Sequence, residues 1–225
     1  VYKRQKIAIV GKSGQGKTSI FNLLLRYFDV DSGVILIDDL PIEDFTEDAL
    51  RQNIAIIRQE PFIFNKTILE NLKIIDPYMS LKKIRNACKL AEIDDYIMSL
   101  PKKYDTMIGE GGINLSGGQK QRLAIARAIA KNPEIYIFDD SFSALDYKTD
   151  AVLREELKKY TKDATSLIVA QRIGTIMNAD KIIVLDNGTS VGVGTHEELL
   201  KSCEVYKEIA LSQLSKEELD NAKTK

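Results

Sequence analysis

Excess charge of either sign is missing from this sequence. Its 32 Lys and Arg nearly cancel its 33 Asp and Glu, and the pI is about 6.0. No basic stripe of the kind that grips a phosphate backbone follows from such a balance, so nucleic acid is not expected as a main partner. Cysteine is scarce as well. Cys88 and Cys203 stand far apart with no CxxC or ligand spacing, which excludes a disulfide framework and a cysteine metal site. No apolar run approaches the ~18 residues of a membrane-spanning helix, and no basic-then-apolar leader opens the chain. Membrane association is therefore expected to come from a partner or from chain not included here. The sequence has no initiator Met and enters a strand almost at once, as a piece of a longer protein would. Repeats and low-complexity tracts are absent too.

What is present is an ordinary globular composition, 44% apolar and 29% charged over 225 residues. Short apolar runs at Lys6–Val10, Val34–Ile37, Ile54–Ile57, Ile135–Phe138, Leu167–Ala170 and Ile182–Leu185 have strand length and strand composition. Helical stretches are expected at Lys17–Arg26, Leu81–Ala91, Gln119–Ala130, Asp150–Tyr160 and His196–Lys201. Alternation of the two predicts an α/β fold with a mostly parallel, doubly wound sheet. From about Lys66 to Ala130 the alternation stops and helix follows helix. The expected division is a discontinuous core, 1–65 and 131–211, with an inserted α-helical subdomain at 66–130. A charged surface helix or tail follows at 212–225.

Three motifs carry chemistry. Gly11-Lys12-Ser13-Gly14-Gln15-Gly16-Lys17-Thr18 lies between a strand and a helix, the setting a G-x-x-x-x-G-K-[ST] phosphate loop requires. Its backbone N–H groups, with Ser13, Gln15 and Ser19 alongside, would close around phosphate oxygens at a helix N-terminus. Lys17 would reach the β- and γ-phosphates, and Thr18 would hold Mg2+. Ile135–Phe138 ends in Asp139-Asp140, which places two carboxylates where parallel sheets meet their ligands. Asp139 would support the Mg2+ shell. Leu115-Ser116-Gly117-Gly118-Gln119 opens the third helix. Ser116-x-x-Gln119 is by itself a capping box. Two glycines in a first helical turn each cost about 1 kcal/mol against Ala, so an anion approaching the backbone closely is the favoured reading.

These residues resemble the ABC ATPases, and the resemblance covers essentially the whole chain. LSGGQ is similar to that family's signature, and further elements match. Gln59, in Arg58-Gln59-Glu60-Pro61, resembles the Q-loop that links Mg2+ to the transport domain. Ser143-Ala144-Leu145-Asp146 resembles the D-loop, and Thr106–Gly112 the X-loop of exporters, with Phe62 and Phe64 pointing the same way. The resemblance implies a P-loop NTPase (RecA-like) core whose helical insertion at 66–130 is the signature subdomain, and an ATP- and Mg2+-dependent ATPase domain at the cytoplasmic face of a membrane. It would be attached to transmembrane domains and dimerise head-to-tail with a second nucleotide-binding domain. Leu115, Ser116, Gly117, Gly118, Gln119 and Asp146 would then touch ATP held by that partner. Thr18, Gln59 and Asp139 would form the metal set.

Three departures qualify the resemblance. Asp140 stands where the family has a Glu, one methylene shorter, and Gln171 occupies the switch-histidine position. Together they imply a weak catalytic site, and hence a different partner chain whose better site this LSGGQ would complete. The third departure is the lack of the expected adenine-stacking aromatic, for which Tyr2 is a poor substitute. His196 follows Thr195, an expected N-cap, and does not supply the missing switch. A non-hydrolysing ATP-binding regulatory module remains the alternative. A DNA-repair ABC ATPase is disfavoured by the missing coiled-coil insertion and the acidic pI, and a P-loop kinase by LSGGQ with the D-loop.

Overall fold

The computed structural model describes residues 3–170 and 173–213; Tyr2, Gln171 and the charged tail lie outside them. Five strands run parallel: β1 (Lys6–Val10), β4 (Ile54–Ile57), β5 (Ile135–Asp139), β6 (Thr165–Val169) and β7 (Lys181–Asp186). An antiparallel edge strand, β8 (Thr189–Gly194), completes a six-stranded sheet in the order β4-β5-β6-β1-β7-β8.

The five parallel strands are mostly apolar because both of their faces are covered. The period of two sorts the side chains. Ile7, Ile9, Ile137, Leu167 and Val169 face one way, against Phe21 of α1 (Lys17–Leu24) and Leu50 of α2 (Glu47–Asn53). Ala8, Val10, Ala55, Ile57, Phe138 and Ile168 face the other. That second face meets α6 (Gly117–Lys131), α7 (Tyr147–Tyr160), α8 (Ile173–Ile176), α9 (His196–Ser202) and α10 (Glu204–Leu211). Burying an Ile or Leu on either side is worth about 1.5–3 kcal/mol, so a one-residue slip of register would forfeit several of these at once.

Residues 66–130 contribute α3 (Ile68–Lys73), α4 (Leu81–Leu90), α5 (Asp94–Ser99) and α6, with no strand of either sheet among the described residues. Their core is continuous with the sheet: Ile84, Ile97 and Ile125 belong to the same apolar cluster as Ala8 and Phe138. Arg85 and Tyr104 both bond the Asp94 carboxylate, at 3.0 and 2.6 Å, which satisfies a buried charge inside this layer.

The expected strand at Val34–Ile37 is corrected. Only Leu36–Ile37 (β2) is extended, and it pairs with Leu40–Pro41 (β3) in a separate two-stranded hairpin. Asp38 and Asp39 both have positive φ (50° and 64°), the conformation of a two-residue hairpin turn. The first helix stops at Leu24, two residues short of Arg26, whose own φ is positive (52°).

Candidate phosphate-binding site

β1 delivers the chain into the Gly11–Gly16 loop, and glycine is demanded there on steric grounds. A Cβ on Gly11 would lie 2.5 Å from the Leu185 carbonyl oxygen of neighbouring β7, while Gly14 and Gly16 take φ of 78° and 87°. With Gly16 at its N-cap, α1 begins without a side-chain cap, so its first N–H groups remain for an anion. The Lys17 ammonium donates to Gly11 O at 2.7 Å and Lys12 O at 2.6 Å, which curls the loop around it. Burial lowers its pKa, and the nearby Asp139 and Asp140 carboxylates oppose that shift.

β5 ends at Asp139, whose Oδ2 accepts from Thr18 Oγ1 at 3.2 Å. Burial raises the Asp139 pKa, and the Thr18 hydroxyl, Arg58 and Lys17 pull it back. Such a carboxylate gains from a bound cation. Asp140 follows at φ 48°, its N–H bonded to Val169 O at 2.9 Å. The left-handed region is tolerated by Asp better than by most side chains, which accounts for an Asp being able to occupy this bend.

A cavity of about 650 Å3 opens between these elements. Gly11, Ser13, Gly14, Gly16, Lys17, Thr18, Ser19, Gln59, Asp139 and Asp140 all line it; Gln15 does not. Hydroxyl, carboxylate and amide oxygens from Thr18, Asp139 and Gln59 are the hard donors Mg2+ takes.

Two neighbours of the site had no sequence signal. Glu208, Ile209, Ser212 and Gln213, in α10 and just after it, wall the far side of the cavity. Glu208 lies 3.9 Å from the Lys12 ammonium, and Gln213 accepts the Ile173 N–H at 2.8 Å. α6 also pins the Gln59 segment: Gln121, fully buried, donates to Arg58 O at 3.1 Å, and Arg127 to Phe62 O at 3.0 Å.

None of Leu115–Gln119 nor Asp146 lines this cavity. The capping box forms as spelled: Ser116 Oγ accepts from Gln119 N at 3.2 Å, and Gln119 Oε1 from Ser116 N at 2.8 Å. A Cβ on Gly117 would meet nothing within 4 Å, so this chain alone does not require glycine there. Asp146 caps α7 through Thr149 N at 3.0 Å, and Ser143 Oγ donates to Asp140 O at 2.9 Å. Thr195 caps α9 in a full capping box, and His196 is buried against Tyr206, outside the phosphate cavity.

The model of the family described as "ABC transporter" matches residues 1–143 of this sequence. The chain belongs to the ABC transporter family. YgaD of Bacillus subtilis, named as a multidrug export ATP-binding/permease protein, is 43% identical over 209 residues, which are 93% of this chain and 36% of YgaD. A namesake from Staphylococcus aureus is 44% identical over the same length and shares. Among solved structures, a bacterial Atm1-family ABC exporter with ATP bound superposes with a TM-score of 0.92 at 39% identity, covering 96% of this chain and 38% of that one. The fold is therefore the P-loop ABC ATPase fold, and the chain spans little more than a third of the length of these relatives.

Proposed function

We propose that this chain binds ATP with Mg2+ in the cavity at the end of β1 and hydrolyses it, as the nucleotide-binding part of an exporter. The observation that carries this reading is the convergence of Lys17, Thr18, Asp139 and Gln59 on one cavity beside an uncapped helix N-terminus. Lys17 places a point charge on the β- and γ-phosphates, and the loop N–H groups orient them for in-line attack. Thr18, Asp139 and Gln59 hold Mg2+, which neutralises phosphate charge when bound. Asp140 accepts the proton of the attacking water, from a carboxylate set back by one methylene relative to a Glu.

Leu115–Gln119 and Asp146 lie apart from this chain's own cavity, which suits the head-to-tail arrangement in which they complete the site of a second nucleotide-binding domain. A different partner chain with a stronger site fits the pairing of Asp140 and Gln171 here with an unaltered LSGGQ. Export as the direction is supported by the names of the relatives, and their description as permeases supports transmembrane domains beside this one, with this domain at the cytoplasmic face of the membrane. Within it, 66–130 acts as the helical signature subdomain and 1–65 with 131–211 as the core. Gln121 and Arg127 make α6 and the Gln59 segment move together.

The test is ATP affinity with and without Mg2+, on wild type and Asp139→Asn. Mg2+ should tighten wild-type binding and tighten the variant far less. Equal Mg2+ dependence in both proteins would remove Asp139 from the metal set. The short Asp140 also favours a second reading, a module that binds without hydrolysing. Absence of turnover at this site in the assembled dimer would select it.

A further inference from the structure

A second cavity, about 810 Å3, lies beneath α7, between the amino ends of β1 and β6 on one side and Phe138 and Phe142 on the other. Its apolar lining includes Phe138, Phe142, Leu157 and Ile168. Two carboxylates line it, Glu155 and Asp180, the latter accepting the Lys6 N–H at 2.7 Å, and they are outnumbered by its cations. Arg154 bonds Asp150 and rests 4.4 Å from the Phe142 ring, and Lys159 pairs with Glu156. Arg4, Lys6, Lys158 and Lys162 have no side-chain hydrogen bond or ion pair among the described residues.

Lysines in the last turn of α7 are accounted for by the helix dipole. That explanation does not extend to Arg4 and Lys6, which reach the same space from β1 and the residues before it. Lys6 is half-buried, and burial followed by the Arg154 and Lys158 charges lowers its pKa, with Asp180 offsetting this in part. A ligand anion would relieve that repulsion, and an apolar body would cover the aromatic floor. The volume is that of an ordinary small-molecule site.

We propose that this cavity binds a ligand carrying a phosphate group on an apolar body. The site is independent of the ATP-binding reading, since it shares no residue with the phosphate cavity. The phosphate would sit among Lys6, Lys158 and Lys162, with charge-assisted hydrogen bonds, and the apolar part against Phe138, Phe142 and Leu157.

The experiment is calorimetric titration of the chain with dodecyl phosphate below its micelle concentration, with dodecyl maltoside as the neutral-headed control. The phosphate should bind and the maltoside should not. Lys6→Gln with Lys158→Gln should weaken binding roughly tenfold or more, the effect of losing charged hydrogen bonds. Lys158→Gln with Lys162→Gln, both at exposed positions, should weaken it in the same direction without touching the fold. Lys17→Ala should leave it unchanged; loss of binding in that variant would assign the signal to the phosphate loop and overturn the proposal. Equal binding of the maltoside, or lysine variants that bind like wild type, would also overturn it. Phosphatidylglycerol vesicles that sediment the chain through the same lysines would identify the ligand as a lipid headgroup. Binding of dodecyl phosphate without vesicle binding would identify a soluble phosphate ester.

Discussion

Thr18 and Asp139 are 121 residues apart in sequence, yet the Thr18 hydroxyl stands 3.2 Å from a carboxylate oxygen of Asp139. The contact exists because β5 reaches the same end of the sheet as β1, with β6 between them. Parallel strands bring their carboxyl ends together whatever their separation in sequence, and the phosphate loop and the acidic strand each depend on that property.

Lys17 is the first residue to test. Its ammonium is held by two loop carbonyls, at 2.7 and 2.6 Å. Replacing it with Ala should lower ATP affinity by roughly tenfold or more, the consequence of losing a charged contact to the phosphates. Isothermal titration gives the answer directly, and an unchanged dissociation constant would take Lys17 out of the site.

In the proposed head-to-tail pairing, Gly117 separates what this chain needs from what a partner needs. Its Cβ position is open, so Gly117→Ala should leave the fold intact and raise its stability by up to about 1 kcal/mol, the helix-propensity difference. ATP binding by this chain should not change. Turnover at the partner's site in the assembled transporter should fall sharply, because the added methyl occupies space the partner's nucleotide would enter. A variant that loses its own ATP binding would instead return Ser116–Gln119 to a purely structural cap.

Much of this architecture was legible in the sequence, and the exceptions have physical causes. Five of the six strands of the main sheet announce themselves as apolar runs because they are covered on both faces. β8 does not: Gly192 and Gly194 dilute it, and they are there because a Cβ at Gly192 would lie 2.9 Å from Cys203 Sγ and one at Gly194 2.8 Å from Glu198. The signal that could have found it is Asn187-Gly188, whose positive φ values of 48° and 74° make the two-residue turn between β7 and β8. The phosphate loop was readable because its glycines, lysine and hydroxyl are contiguous. The wall formed by Glu208 and Gln213 was not, since nothing local ties α10 to a loop nearly 200 residues earlier.

His196 provides a pH test of the α9–α10 junction. Its Nδ1 lies 2.7 Å from Tyr206 Oη, and its buried Nε2 has no hydrogen-bond partner among the described residues. Burial lowers its pKa, only partly opposed by Glu197, so the folded state favours the neutral ring. The unfolded chain takes up a proton below about pH 6.5, and the folded chain does so only at a lower pH. Stability should therefore be intact above that pH and decline below it, by at most about 1.4 kcal/mol per pH unit. Urea midpoints from pH 7.5 to 5.5 should drift downward for wild type, and His196→Asn should flatten that part of the profile. Parallel profiles would show that another group titrates.

Asp140 and Gln171 supply the most demanding test. Asp140 keeps the charge of a general base and sits at φ 48°, with its N–H held by Val169 O, so the backbone is fixed and only side-chain length remains to vary. Withdrawal of a carboxylate by roughly 1 Å costs on the order of 10²-fold in rate. Gln171, outside the described residues, can hydrogen-bond a phosphate but carries no positive charge. In the weak-site reading both differences act on proton transfer and positioning and leave ground-state binding unweakened. Asp140→Glu with Gln171→His should therefore raise single-turnover hydrolysis at this site by about 10²-fold while moving ATP affinity little. The two substitutions should be non-additive, since both act on one water and one phosphate. Asp140→Glu should also lower the unfolding temperature slightly, because Glu tolerates the left-handed region less well than Asp. The measurement uses the assembled dimer with the partner's site disabled. A wild-type rate already at the level of the double variant would mean that the short carboxylate is no handicap, and the weak-site reading would be lost.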